Sequence, residues 1–280
     1  MNYNSQAGQD KFVVNVLNGK KNGYFLEIGS AFPIRMNNTY ILENLFLWEG
    51  IMIENGYDKA LGEEGGNWLE DYKKLRKKSK HVIEDATKID YKNLLKDYPK
   101  NFDYLQIDIE AKNGSTIKTL EKLDSEIMDK YKFAVITFEH DYYAAGKYKY
   151  TREKSREIFK KRGYFMVFGD INCGDPNFVF EDWWVHPSLV NMDYVMELKN
   201  ENYKNYKKNH LVDVSINWKD IYYPREFKME DIYYPREFKL ENMYYPREFK
   251  MKTRDYTFYI IISIVILLGI LVIGYNRKKK

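Results

Sequence analysis

The stretch from Gly23 to Glu54, GYFLEIGSAFPIRMNNTYILENLFLWEGIMIE, constrains the fold more than any other part of the chain. It reads as an apolar strand over Tyr24–Ile28, a tight loop at Gly29 and Ser30, and a helix through the Asn38–Leu47 region. A second apolar strand, Gly50–Ile53, follows and is closed by an acid, Glu54. Strand, crossover helix and strand form the parallel unit of open α/β sheets. In such sheets small ligands lie beyond the carboxyl ends of the strands, where the first loop meets a helix N-terminus. Glu54 is placed to accept both hydroxyls of a ribose.

The same alternation continues. Strands are expected at His81–Ile83, Tyr104–Ile107, Phe133–Phe138, Tyr164–Phe168 and Phe178–Phe180, and helical periodicity fits Trp68–Lys78, Asn93–Lys96, Ser115–Leu123 and Thr151–Lys161. The last two strands flank a short Gly- and Asp-rich turn, so an antiparallel hairpin is expected to end a seven-stranded, otherwise parallel sheet covered on both faces. Charge excludes little. Lys and Arg total 45 against 41 Asp and Glu, interspersed, and the net +4 asks for no nucleic acid. A single Cys173 rules out an intrachain disulfide or a cysteine metal cluster and fits a reducing compartment. Residues 1–20 lack the basic and apolar regions of a signal peptide.

Beyond about residue 215 the composition changes. Residues 216–254 carry three copies of an eleven-residue unit, IYYPREFKMED, IYYPREFKLEN and MYYPREFKMKT. Pro224, Pro235 and Pro246 interrupt any continuous helix, and each preceding tyrosine is biased towards extended geometry. A spacer, a segment packed on the first domain, or a surface that binds a protein partner or membrane through Tyr, Phe and Lys all fit this pattern. The segment Phe258–Tyr275, FYIIISIVILLGILVIGY, is uncharged. As a helix its eighteen residues would cover about 27 Å, and its dozen Ile, Val and Leu side chains favour insertion by about 6 kcal/mol. Residues 257–275 therefore read as a single transmembrane helix, with the basic tail 276–280 beyond it. The basic residues 277–280 slightly favour a cytoplasmic tail tip, but a span at this position is expected to insert after synthesis, with domain 1–215 in the cytosol on a C-terminal anchor.

The segments SQAGQDKFV (5–13), FLEIGS (25–30), NNTYILE (37–43), WEGIMIE (48–54), FDYLQIDIE (102–110) and FEH (138–140), in this order, resemble the FkbM-type methyltransferases, and the resemblance runs from about Ser5 to about Pro187. It implies a Rossmann-like seven-stranded methyltransferase sheet with an antiparallel last strand, S-adenosylmethionine as cofactor, and a hydroxyl of a small molecule, sugar or glycan as acceptor. Glu27 would hold the methionine ammonium, Gly29 would let backbone approach the cofactor, Ser30 would join it in the cofactor loop, and Glu54 would bind the ribose. Asp85 and Ala86 would meet the adenine. Asp108 and Glu110 end the fourth strand beside the expected sulfonium, where a carboxylate can remove the acceptor's proton or two oxygens can hold a divalent cation. His140, between Glu139 and Asp141, has a side chain suited to a general base. The paired Trp183 and Trp184 read as packing.

Two competing readings belong to other classes. Pro33 stands where the family pattern has a second glycine, with Ala31 and Phe32 before it, so a degenerate methyltransferase fold that only binds would also fit. A nicotinamide enzyme is disfavoured because GSAFPI supplies one glycine where a dinucleotide fingerprint needs three.

Overall fold

The computed structural model describes residues 3–55, 68–109, 113–143, 148–172 and 177–200. Glu110, Cys173, the repeats and the Phe258–Tyr275 span lie outside these residues. Among the described residues no helix is long and apolar enough to cross a membrane.

Seven strands form one sheet: β1 (Tyr24–Ile28), β2 (Glu49–Glu54), β3 (Ser79–Ile83), β4 (Asn101–Ile107), β5 (Lys132–Glu139), β6 (Phe165–Asn172) and β7 (Val179–Val185). Their order is β3-β2-β1-β4-β5-β7-β6. The first five are mutually parallel, and β7 runs antiparallel to both β5 and β6. The expected hairpin is present, but its second strand inserts between β5 and the first strand. The two central tryptophans, expected just after the last strand, lie within β7 and are wholly buried.

Helices cover both faces because alternate side chains of each central strand are apolar in both directions. Phe25 of β1, Tyr104 of β4, Val135 of β5 and Trp183 of β7 pack with α1 (Gln9–Val16), α2 (Tyr40–Phe46) and α7 (Met192–Asn200). Leu26, Ile28, Leu105, Ile107, Ile136 and Trp184 pack on the other face with α4 (Tyr91–Leu94), α5 (Ser115–Glu126) and α6 (Lys149–Lys161). One further helix, α3 (Trp68–Leu75), precedes β3. The segment SQAGQD owes its shape to two side chains. Asp10, fully buried, accepts the Asn4 and Ser5 amides at 2.7 and 3.1 Å, and Gln9 accepts the Ala7 amide at 2.8 Å while donating to Glu181 at 2.9 Å.

The topology fixes where a ligand can sit. After β1 the chain moves outward to β2 and β3, then returns to the other side of β1 as β4. That reversal opens a crevice at the carboxyl ends of β1 and β4. Gly29 stands at its floor with φ +85, and a Cβ there would collide with the Asp108 carbonyl oxygen and lie 2.6 Å from its carbon. The glycine is therefore demanded by the close approach of the two strand ends. The expectation that Gly29 clears space for a cofactor is corrected to that extent: the space a side chain would take belongs to β4 backbone.

Candidate active site

Carboxylates converge at this edge. Glu27, one residue before the end of β1, lies on the α1 and α2 side of the sheet and is fully buried. Its Oε2 accepts Thr39 Oγ1–H at 2.8 Å and Asn37 Nδ2–H at 3.2 Å. Its Oε1 is buried with no hydrogen-bond partner. Burial raises the Glu27 carboxyl to about 7, and the nearby Arg76 charge holds it from rising further.

Arg76, entirely buried, is the hub of this corner and was not singled out from the sequence. Its Nε donates to Glu43 at 2.9 Å, one terminal nitrogen to Asn37 Oδ1 at 2.8 Å and Pro33 O at 3.1 Å, and the other to Thr39 Oγ1 at 2.6 Å. Two of its arms thus reach Glu27 Oε2 through one intermediate each, Asn37 and Thr39. The same guanidinium fixes the bulky first loop, since Pro33 is buried with its carbonyl on Arg76. Tyr72 adds a hydrogen bond from its hydroxyl to Ala31 O at 2.7 Å.

Asp108 follows β4 directly, its amide bonded to Ile28 O at 2.9 Å. Burial raises its carboxyl to about 7, and the Asp141, Glu27 and Glu54 charges add to the shift, while a hydrogen bond from Gln106 opposes it. Glu181 of β7 is buried against Gln9 and Trp183, and burial together with Asp108 raises it to about 8. Asp108 is therefore coupled across the crevice to four other carboxylates, Glu27, Glu54, Asp141 and Glu181. Such a cluster is poised to hold a cation or to carry protons.

This clustering has a consequence for stability. Glu27, Asp108 and Glu181 hold protons in the folded chain up to about 7, 7 and 8, whereas their ordinary values are 4.5, 3.8 and 4.5. Between those limits the folded state binds more protons than the unfolded state, so stability falls as pH rises through the folded values. His81 and His186, both shifted down, act only below their ordinary 6.5. The ligand-free protein is expected to lose roughly 5–10 °C of Tm between pH 6.5 and 8.5. Thermal denaturation followed by circular dichroism checks this, and a flat or rising Tm contradicts it.

The other expected site residues divide. Glu54 lies at the crevice, where its Oε2 accepts the Ala31 amide at 3.0 Å and its Oε1 the Asn55 amide at 2.9 Å. Each oxygen keeps a second lone pair for a ribose hydroxyl. Ser30 is buried, its hydroxyl 3.4 Å from Ile53 O. Asp85 closes a local turn, accepting Thr87 N and Oγ1 at 3.0 and 2.7 Å, and Ala86 behind it is buried with its carbonyl on Tyr91.

His140 takes a different direction. Its ring is fully buried, and Nδ1 accepts the Tyr142 amide at 3.2 Å, which leaves the proton on Nε2. Nε2 faces Asp182 at 3.4 Å and Asp170 at 3.9 Å. The ring is thus turned into the β6–β7 hairpin, in contact with its acids. His140, Asp170 and Asp182 have the geometry of three metal ligands. Their chemistry does not fit a cation, because guanidinium groups already occupy both carboxylates. Arg156 binds Asp182 through Nε and a terminal nitrogen, each at 2.7 Å, and Asp170 at 2.9 Å; Arg152 binds Asp170 through two nitrogens. The arginine and histidine contacts hold Asp182 well below the usual carboxylate range despite its burial. This is an ion-pair lock between α6 and the hairpin. The divalent cation considered at Asp108 involves Glu110, outside the described residues.

No family model and no curated protein matches the chain. Solved structures similar to it include the precorrin-6y C5,15-methyltransferase of Geobacter metallireducens GS-15, 16% identical over 63% of this chain and 87% of that one, with a TM-score of 0.41. Human methyltransferase-like protein 13 in complex with SAH is 13% identical over 77% of this chain and 97% of its own, with a TM-score of 0.42. TYW2 of M. jannaschii in complex with AdoMet is 14% identical over 66% of this chain and 76% of its own, with a TM-score of 0.38. At such values the likeness carries no weight of its own. The order and polarity of the strands define a seven-stranded mixed sheet of the Rossmann-like methyltransferase type.

Proposed function

We propose that this chain is an S-adenosylmethionine-dependent methyltransferase acting on a hydroxyl of a small molecule, sugar or glycan. The observation that carries the reading is the acid-lined crevice at the β1–β4 reversal, with Glu27 Oε1 buried and unpartnered inside it. A ligand for that place must bring positive charge. S-adenosylmethionine brings an ammonium and a sulfonium, whereas the pyrophosphate of a nicotinamide dinucleotide would meet Glu27, Glu54 and Asp108 as like charges. The segments that resemble FkbM-type enzymes supply Glu27, Glu54 and Asp108, which supports placing the chain near that family.

The donor supplies an activated methyl group when bound. The chain's own residues do the rest: Glu27 binds the ammonium, Glu54 accepts the ribose hydroxyls, and Asp108 takes the proton of the acceptor hydroxyl as its oxygen forms the new bond to carbon. That displacement would release the donor's carbon–sulfur electron pair onto sulfur. With a carboxyl near 7, Asp108 is matched to this task at neutral pH. The uncharged run Phe258–Tyr275 supports a membrane anchor, and the YYPREFK repeats before it offer Tyr, Phe and Lys side chains to a protein partner.

The alternative, a methyltransferase fold kept as a binding module, is favoured by one feature: both Glu54 oxygens already accept backbone amides of their own surroundings. Calorimetric titration of the full chain in mild detergent separates the readings. S-adenosylhomocysteine should bind with Kd of about 1–100 μM, corresponding to roughly 5–8 kcal/mol, and NADH should give no heat. Absence of S-adenosylhomocysteine binding at millimolar ligand sinks the methyltransferase reading.

A further inference from the structure

Gln106 lies two residues before Asp108 on β4 and is 2% exposed. It is the parallel-sheet partner of Glu27, the two Cα positions being paired in register. Adjacent parallel strands run about 4.8 Å apart and paired residues project to one face, so the two side chains stand next to each other. The Gln106 amide donates an N–H to the Asp108 carboxylate, which opposes the rise of that carboxyl. Its Oε1 is buried without a hydrogen-bond partner, as is Oε1 of Glu27 on the adjacent strand.

Once Glu27 has lost its proton, two desolvated, unpartnered acceptors on neighbouring strands are costly unless a donor arrives. An acceptor pair of this kind matches a group with several N–H bonds and a positive charge, and a primary ammonium has three. Glu27 Oε2 cannot swing to serve instead, because Asn37 and Thr39 hold it. Resting on the methyl-donor reading, we propose that Gln106 is a donor-binding residue that shares the ammonium of the bound donor with Glu27. Through its other end it positions the Asp108 carboxylate, so one side chain links donor recognition to the proton acceptor. The site therefore selects donors that carry a free α-amino group.

The test is a two-by-two titration of the full chain. The wild type and Gln106→Leu are each titrated with S-adenosylhomocysteine and with its analogue lacking the α-amino group. The wild type should bind S-adenosylhomocysteine at least about 10-fold more tightly than the deaminated analogue. Gln106→Leu should lose about 10-fold for S-adenosylhomocysteine and change little for the analogue, so discrimination narrows. Gln106→Met, closer in shape, serves where the leucine variant unfolds. Equal weakening for both ligands would assign Gln106 a packing role only and overturn the inference. So would a wild type that does not discriminate. Failure of the wild type to bind either ligand overturns the methyl-donor reading, and this inference with it.

Discussion

Asp108→Asn is expected to lower kcat by about 10² to 10⁴, measured as transfer of labelled methyl from donor to a pool of glycans and hydroxylated metabolites. The substitution keeps the shape of the side chain and leaves an oxygen for the Gln106 hydrogen bond, so the strand end should hold its geometry. What it removes is the group that takes the acceptor's proton. Affinity for S-adenosylhomocysteine, neutral at sulfur, should stay close to that of the wild type, whereas the cationic donor should bind somewhat less tightly. The pH profile gives an independent check. A base works when ionised, and the Asp108 carboxyl is raised to about 7 by burial and by Asp141, Glu27 and Glu54. The wild-type rate should therefore rise through pH 7 and level off above it, and the residual rate of the variant should lack that step. Undiminished turnover in Asp108→Asn would remove Asp108 from the chemistry.

The second large effect concerns Arg76. Arg76→Met should cost about 3–5 kcal/mol of stability, because it strands Glu43, itself 3% exposed, with no cation beside it. Asn37, Thr39 and the Pro33 carbonyl lose their donors at the same time. The guanidinium also lies 5.9 Å from the ring centroids of Phe25 and Tyr40, so packing contacts go with it. Arg76→Lys keeps the charge but cannot reproduce a fork with contacts on both arms, and should recover only part of the loss. Since Arg76 holds the Glu27 carboxyl down, its removal should push that carboxyl above about 7 and weaken ammonium binding at neutral pH. Chemical denaturation with the midpoint read by tryptophan fluorescence measures the first effect. A loss under about 1 kcal/mol would mean that the buried cluster contributes no more than a surface pair.

The centre of the fold was legible because its signals are local. Tyr24–Ile28 and the acid at Glu54 were placed correctly from a run of apolar residues between a glycine and a polar end. The helix α1 was missed: QDKFVVNV carries three valines, which disfavour a helix intrinsically, and its shape depends on Asp10 and Gln9 bonding to backbone outside it. Arg76 sits in a basic stretch, KKLRKK, where nothing in the sequence separates the one buried guanidinium from its solvated neighbours. Gln106 looks like any polar residue until the β1–β4 register sets it beside Glu27. His140 shows the converse. Its neighbours Glu139 and Asp141 made the strand end look catalytic, yet successive side chains point to opposite sides, and the imidazole faces the acids of the hairpin. Contacts between residues far apart in the chain, as between His140 and Asp182 or Arg76 and Glu43, leave no trace in spacing.

That a cationic methyl donor is seated by ionised acids at the β1–β4 reversal is best tested by the pH dependence of the same calorimetric titration. S-adenosylhomocysteine affinity should rise between pH 6 and 8 with a midpoint near 7, as Glu27 loses its proton and meets the ammonium as a carboxylate. Affinity that is flat or falls over that interval would contradict it.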